Sequence, residues 1–136
     1  MKRQIAVVTL AFALFTAAAI AQPVPSPVQP PPVKRTMLSK VEVPGANYDV
    51  ITALVEIAPG FKAGRHSHPG TVGAQILEGE FWLAIDGQPE KTYKAGEWLE
   101  IRDAAIHNEG AAGSGPMKLL AIYTVERGKP LASPAK

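Results

Sequence analysis

The sequence predicts an all-β domain, a jelly roll of about eight short strands. Three observations support this. Apolar residues occur in short or alternating runs, Gly, Pro and Asp interrupt them at close intervals, and no stretch after residue 37 keeps a helical period. The composition agrees, since 46% hydrophobic and 19% charged residues in a chain of 136 are typical of one globular domain.

The first segment, residues 1–21, has the layout of a signal peptide. A basic start at Lys2 and Arg3 precedes an apolar run, which ends in the small residues of Ala19-Ile20-Ala21. We therefore expect a periplasmic or secreted protein with no stable membrane insertion after cleavage. A retained anchor is the alternative, because the apolar run approaches the length of about 20 residues that spans a bilayer.

A proline-rich linker is predicted for residues 22–36. Its "QPVPSPVQPPPV" stretch favours extended polyproline II over helix or sheet and suits a spacer. The charge is balanced after the leader, because loss of Lys2 and Arg3 leaves 12 basic residues against 12 acidic ones. With no basic patch among aromatic residues, nucleic acid is not expected as a partner.

The β domain is predicted to cover residues 37–131, with a short tail at 132–136. Alternation and turn residues delimit its strands. The predicted strands are 38–43, 49–57, 63–68, 72–77, 80–85, 91–93, 97–101 and 117–125, and residues 110–116 are predicted as a loop.

All three histidines of the chain are candidate metal ligands. Side chains alternate along a strand, so His66 and His68 point to one face, close enough to share a cation. His107 follows much later, on a strand or turn that closure of the sheet would bring beside them. Three imidazoles in a concave interior suit Fe, Zn, Mn, Ni or Cu, with positions left open for water or substrate.

The spacing around the first two histidines resembles the first motif of the cupin family: Gly, five residues, His-x-His, then Glu and Gly at fixed intervals. Gly60, His66, His68 and Gly79 occupy their places, and Val72 stands where the family has its Glu ligand. The resemblance implies a double-stranded β-helix that is often a dimer and often holds a metal in the barrel.

The second cupin motif is matched only in part. Gly96 and His107 stand in place, whereas Arg102, Ala104 and Ala111 replace the Pro, Gly and Asn of the family pattern. We therefore expect a site of three neutral imidazoles without a carboxylate. An ion in such a site keeps its full double charge and would attract anionic or chelating ligands.

Two further residues are candidates for the pocket, Gln75 and Tyr123. Strict alternation from Val72 turns Gln75 outward, and a bulge at Gly73 would turn it inward. The catalytic residues are unassigned. The resemblance implies an exported protein that uses a divalent metal on a small organic molecule, with an oxygenase-like reaction as one possibility; a non-catalytic ligand-binding cupin and a metal-free structural cupin are the alternatives.

Overall fold

The computed structural model describes residues 31–136, which fold into two antiparallel five-stranded sheets. The predicted signal peptide and residues 22–30 of the predicted linker lie outside the described residues. The described strands are β1 (Val33–Glu42), β2 (Tyr48–Ile57), β3 (His66–Ser67), β4 (Gly70–Glu78), β5 (Glu80–Ile85), β6 (Lys91–Lys94), β7 (Trp98–Ile101), β8 (His107–Ala112), β9 (Met117–Glu126) and β10 (Ser133–Pro134).

The first sheet has the order β1-β2-β9-β4-β7. Its strands alternate as the sequence predicts: on β4, Val72, Ala74 and Ile76 are buried, while Thr71 and Gln75 lie on the other side. Each large apolar side chain buried in this way contributes about 1.5–3 kcal/mol to stability. The inward face of this sheet is one wall of the core.

The second sheet has the order β10-β3-β8-β5-β6 and forms the opposite wall. Phe81 and Leu83 on β5 pack into the same buried cluster as Ile76 and Leu99 of the first sheet. The predicted all-β jelly roll is therefore confirmed. None of the residues from 31 onward forms a helix that is long and apolar enough to cross a membrane.

The strand boundaries differ from the predicted ones in several places. The strand predicted for 63–68 is reduced to β3, His66–Ser67, so His68 lies just beyond it. β1 begins at Val33, inside the predicted linker, because its backbone pairs with β2 along its whole length, from Val33 opposite Ile57 to Glu42 opposite Asp49. β10 lies in the predicted tail and pairs with β3. β8 includes residues 110–112, which were predicted as loop. These residues pair with residues 82 to 80 of β5, although the sequence Gly-Ala-Ala has low strand propensity.

Candidate metal centre

The three histidines come together on the second sheet. His66 on β3 is the direct register partner of His107 on β8, and His68 follows β3 immediately. One ring nitrogen from each of the three lies within 4.8 Å of the others, and all three side chains are buried. The ring centroids are 4.2 to 5.0 Å apart. Closure of the barrel thus groups residues that are far apart in sequence.

Backbone carbonyls fix the orientation of all three rings. Nδ1 of His66 donates to the Gly64 carbonyl at 2.8 Å, and Nδ1 of His107 donates to the Ala105 carbonyl at 2.8 Å. Nδ1 of His68 donates to the carbonyl of Leu131 at 2.7 Å. A carbonyl has no proton to give, so each neutral ring carries its hydrogen on Nδ1. The three Nε2 lone pairs are consequently free to bind a metal, and hydrogen bonds of this kind are typical of metal-binding histidines.

Burial favours the neutral form of two of these imidazoles, those of His68 and His107. The pKa of His68 is lowered to about 4. Burial is the largest cause, the other two histidines add to the lowering, and the hydrogen bond to the Leu131 carbonyl opposes it. Burial also lowers the pKa of His107. Within residues 31–136, Nε2 of His107 is a buried polar atom without a hydrogen-bond partner. Such an atom is costly unless something occupies the site.

A carboxylate lies beside the cluster, although the group that could hold an ion consists of the three histidines alone. One oxygen of Glu109 lies 3.4 Å from Nε2 of His107, and the other lies 3.8 Å from Nε2 of His66. Four donors placed about 2.0–2.2 Å from one tetrahedral ion lie about 3.4 Å apart. The three imidazoles are close enough to hold one ion, and the Glu109 carboxylate lies near enough to two of them to be a candidate fourth donor.

Glu109 is held in place by its strand. It follows His107 by two residues on β8, so both side chains point to the same face. The backbone N–H of Ala63 donates to the Glu109 carbonyl at 2.8 Å, which ties β8 to the segment before β3. Burial raises the pKa of the Glu109 carboxyl, while the nearby His66 and Arg35 lower it in part. A His-x-Glu pair would have been a signal for this residue only if a strand had been predicted for residues 107–109.

Val72 occupies the family's Glu position as an ordinary core residue. It is 3% exposed and lies opposite Tyr123 in the β4–β9 register. A cavity of about 20 Å³ lies between the sheets and is lined by Val72, Tyr123, His68 and Glu109, among others. Glu109 on β8 thus faces Val72 on β4 across this small space.

The two predicted pocket residues separate. Tyr123 is buried and faces the cluster, with its ring centroid 5.6 Å from that of His68, and burial raises the pKa of its phenol, so it stays protonated. Gln75 lies outside the cavity. Its amide donates to the Gly96 carbonyl at 2.7 Å on the outer side of the first sheet, as alternation from Val72 predicts without a bulge.

Comparison with known proteins agrees with this description. A family model described as "Cupin domain" matches residues 53–123. A cupin-like protein from Thermotoga maritima is 28% identical, with 76% of this chain and 75% of that chain covered and a TM-score of 0.64. A cupin superfamily protein from Desulfitobacterium hafniense is 21% identical over 69% of this chain and 78% of that one, with a TM-score of 0.58.

One more distant structure contains a metal. Oxalate decarboxylase from Bacillus subtilis, a protein with Mn(II) centres, is 22% identical over 62% of this chain and 23% of that chain, with a TM-score of 0.54. No protein with curated functional information matches this sequence.

Proposed function

This chain belongs to the cupin family, and from that premise we propose that it binds one divalent transition-metal ion through His66, His68, His107 and Glu109. The observation that carries the proposal is the fixed orientation of the rings. Three Nδ1–H groups are bound by backbone carbonyls, so three Nε2 atoms are left for a metal, and one ring nitrogen from each histidine lies within 4.8 Å of the others. The buried Nε2 of His107, which makes no hydrogen bond within residues 31–136, also supports the proposal.

The donor set limits which metals could bind at this site. Imidazole nitrogens with one carboxylate oxygen suit Fe, Zn, Mn, Ni or Cu, and they suit neither Ca²⁺ nor Mg²⁺, which prefer oxygen ligands. One carboxylate reduces the charge of a divalent ion by one unit. The site would therefore keep a single net positive charge, which favours an anionic ligand at an open position.

We propose that the site acts on a small organic molecule, with oxidation by dioxygen as the leading reaction class. Once bound, the ion would supply Lewis-acid polarisation of a coordinated oxygen and, for a redox-active metal, electron transfer. The described side chains would provide a proton donor and an apolar environment. Tyr123 offers a protonated phenol beside His68, and the apolar wall formed by Val72, Phe81 and Leu99 excludes water.

The proposal is tested by elemental analysis of protein purified without added metal. We expect about one transition-metal ion per chain in the wild type and a loss of that metal in His66→Ala/His107→Ala. Oxygen uptake by the iron-loaded protein with thiols, diketones and catechols then tests catalysis. A rise in melting temperature with a ligand but no product would indicate a binding protein. Absence of metal from the native protein would indicate a structural cupin.

Export and self-association are further parts of the proposal. The leader pattern of residues 1–21 supports a periplasmic or secreted location, and the N-terminal sequence of mature protein from a periplasmic fraction tests it. A homodimer is an expectation drawn from the family, and light scattering of the purified protein tests it.

A further inference from the structure

We propose that Arg35 is the recognition residue for a carboxylate group on the small molecule that this cupin binds. This inference rests on the proposed function, because it assigns a substrate class to the same metal centre. The class is a small monocarboxylic acid with an apolar body. Three observations support it: a cavity lined by both Arg35 and His66, the position of Arg35 on β1, and the lack of an ion pair between Arg35 and any carboxylate of residues 31–136.

The cavity adjoins the metal centre. It has a volume of about 300 Å³, at the small end of the range for ligand sites, and His66 forms part of its lining. Its walls are largely apolar, with Val33, Phe61, Ala132 and Pro134 among them. A ligand in this cavity would therefore have an apolar body and one end within reach of the metal centre.

The register of β1 places Arg35 over this space. Arg35 lies opposite Val55 on β2, and Val33 lies opposite Ile57. Directly paired residues in an antiparallel sheet share a face, and Val55 and Ile57 both point into the core. Arg35 is consequently on the concave side of the sheet, although β1 is an edge strand and the residue itself is exposed.

The two arginines of the cavity differ in their partners. Arg65 forms an ion pair with Asp86 and also donates to the Lys136 carbonyl, so its guanidinium already has partners within the protein. Arg35 makes no ion pair with any carboxylate between residues 31 and 136. A planar guanidinium presents donors in a geometry that matches a carboxylate. Arg35 is thus the cation in this cavity that remains available to a ligand.

Arg35 also lies near the inner cluster. Its positive charge acts on the pKa of Tyr123, of His68 and of Glu109. Tyr123 in turn lies against His68. A carboxylate bound by Arg35 would therefore sit at the boundary between the cavity and the metal centre, with the rest of the molecule directed along the apolar walls.

The experiment measures the preference for a charged ligand over a neutral one of the same shape. The probes are phenylacetate and phenylacetamide, with hexanoate and hexanamide as a second pair, titrated by ligand-observed NMR. The proteins are wild type, Arg35→Met, Arg35→Lys and the control Arg102→Met, which removes an exposed arginine from the loop after β7. Each protein is titrated both zinc-loaded and metal-free, with its metal content and melting temperature recorded.

We expect wild type and Arg102→Met to bind each carboxylate at least about tenfold more tightly than its amide, because hydrogen bonds to charged groups are strong. Arg35→Met should lose this preference, Arg35→Lys should keep part of it, and both should retain zinc. Equal binding of acid and amide by the wild type, no binding of either, or an equal loss in Arg102→Met would overturn the proposal for Arg35. Absence of zinc from the wild type would instead overturn the metal site, and the metal-free titration would still decide the role of Arg35.

Discussion

Glu109 Oε2 lies 3.4 Å from Nε2 of His107, two residues away on the same strand. Since side chains two apart on a strand share a face, β8 alone provides one nitrogen and one oxygen donor to the cluster. His66, on the neighbouring strand β3, completes a contact with the same carboxylate at 3.8 Å. The acid of the site is thus attached to the strand that carries the third histidine. This arrangement leads to the first prediction.

Replacing Glu109 by Gln should weaken metal binding by about 10- to 100-fold or more, because the variant loses the anionic ligand and keeps the shape. Competition with a metal-sensitive chromophoric chelator measures the affinity. Glu90→Gln, an exposed acid in the turn after β5, is the matched control and should bind metal as the wild type does. Equal affinities for Glu109→Gln and wild type would show that the carboxylate is not a ligand.

Replacing His107 by Ala should abolish the stabilisation that metal gives. His107 is 0% exposed, and its Nε2 makes no hydrogen bond in the described part of the chain, so the proposed ion would bind the native state at a preformed site. In wild type, metal at 1,000 times its dissociation constant adds about 4 kcal/mol to the free energy of unfolding. Thermal denaturation with and without a chelator measures this. A variant with an unchanged response to the chelator would refute the role of His107.

The metal-free protein should lose stability as the pH falls from 6.5 to 4. Burial lowers the pKa of His68 from 6.5 to about 4. Between these two pH values His68 is protonated in the unfolded chain and neutral in the folded chain. Stability therefore declines by roughly 3 kcal/mol from this residue alone. Urea denaturation of chelator-treated wild type and His68→Gln at several pH values measures the difference.

The comparison with His68→Gln removes other contributions to the pH dependence. The raised pKa of Glu109 has the opposite effect on stability, because the folded state takes up its proton at a higher pH than the unfolded state does. Both proteins contain Glu109, so this effect cancels in the comparison. The variant should show a shallower loss of stability towards low pH. An identical pH dependence in the two proteins would contradict a burial effect on His68.

Replacing Gly110 by Ala should destabilise the domain by about 1–3 kcal/mol and weaken metal binding. A Cβ at this position would lie 2.0 Å from the backbone oxygen of Phe61 and 2.8 Å from Nε1 of Trp82, so β8 would have to move. Glu109 precedes it directly. Chemical denaturation measures the stability, and Gly115→Ala, with no atom within 4 Å of the added methyl, is the control. Equal stability of the two variants would contradict the close packing at Gly110.

Much of the fold could be predicted from alternation and turn residues. The prediction for β2 at 49–57 differs from the observed strand by one residue, because its apolar residues alternate and Pro59 and Gly60 follow it. Strand β8 was not predicted, because Gly110, Ala111 and Ala112 show no apolar alternation and have low strand propensity. Its pairing with β5 is a tertiary property.

The acid beside the histidines was not predicted because its strand was not predicted. The three histidines could be grouped because one pair alternates on a strand and closure brings the third beside it. Glu109 could not be placed, because the phase of side chains around His107 was unknown without β8. Once β8 is known, the same alternation that orients His66 and His68 also orients His107 and Glu109.

The carbonyl that orients His68 belongs to Leu131, beyond the stretch that matches the family model, and β10 follows it against β3. A fragment trimmed to the matched residues would also lack β1, and with it Arg35. The smallest piece of the chain fit for biochemical work is therefore larger than the homologous region. Affinity tags should be joined to the final residue through a generous spacer, so that they leave this closing segment undisturbed.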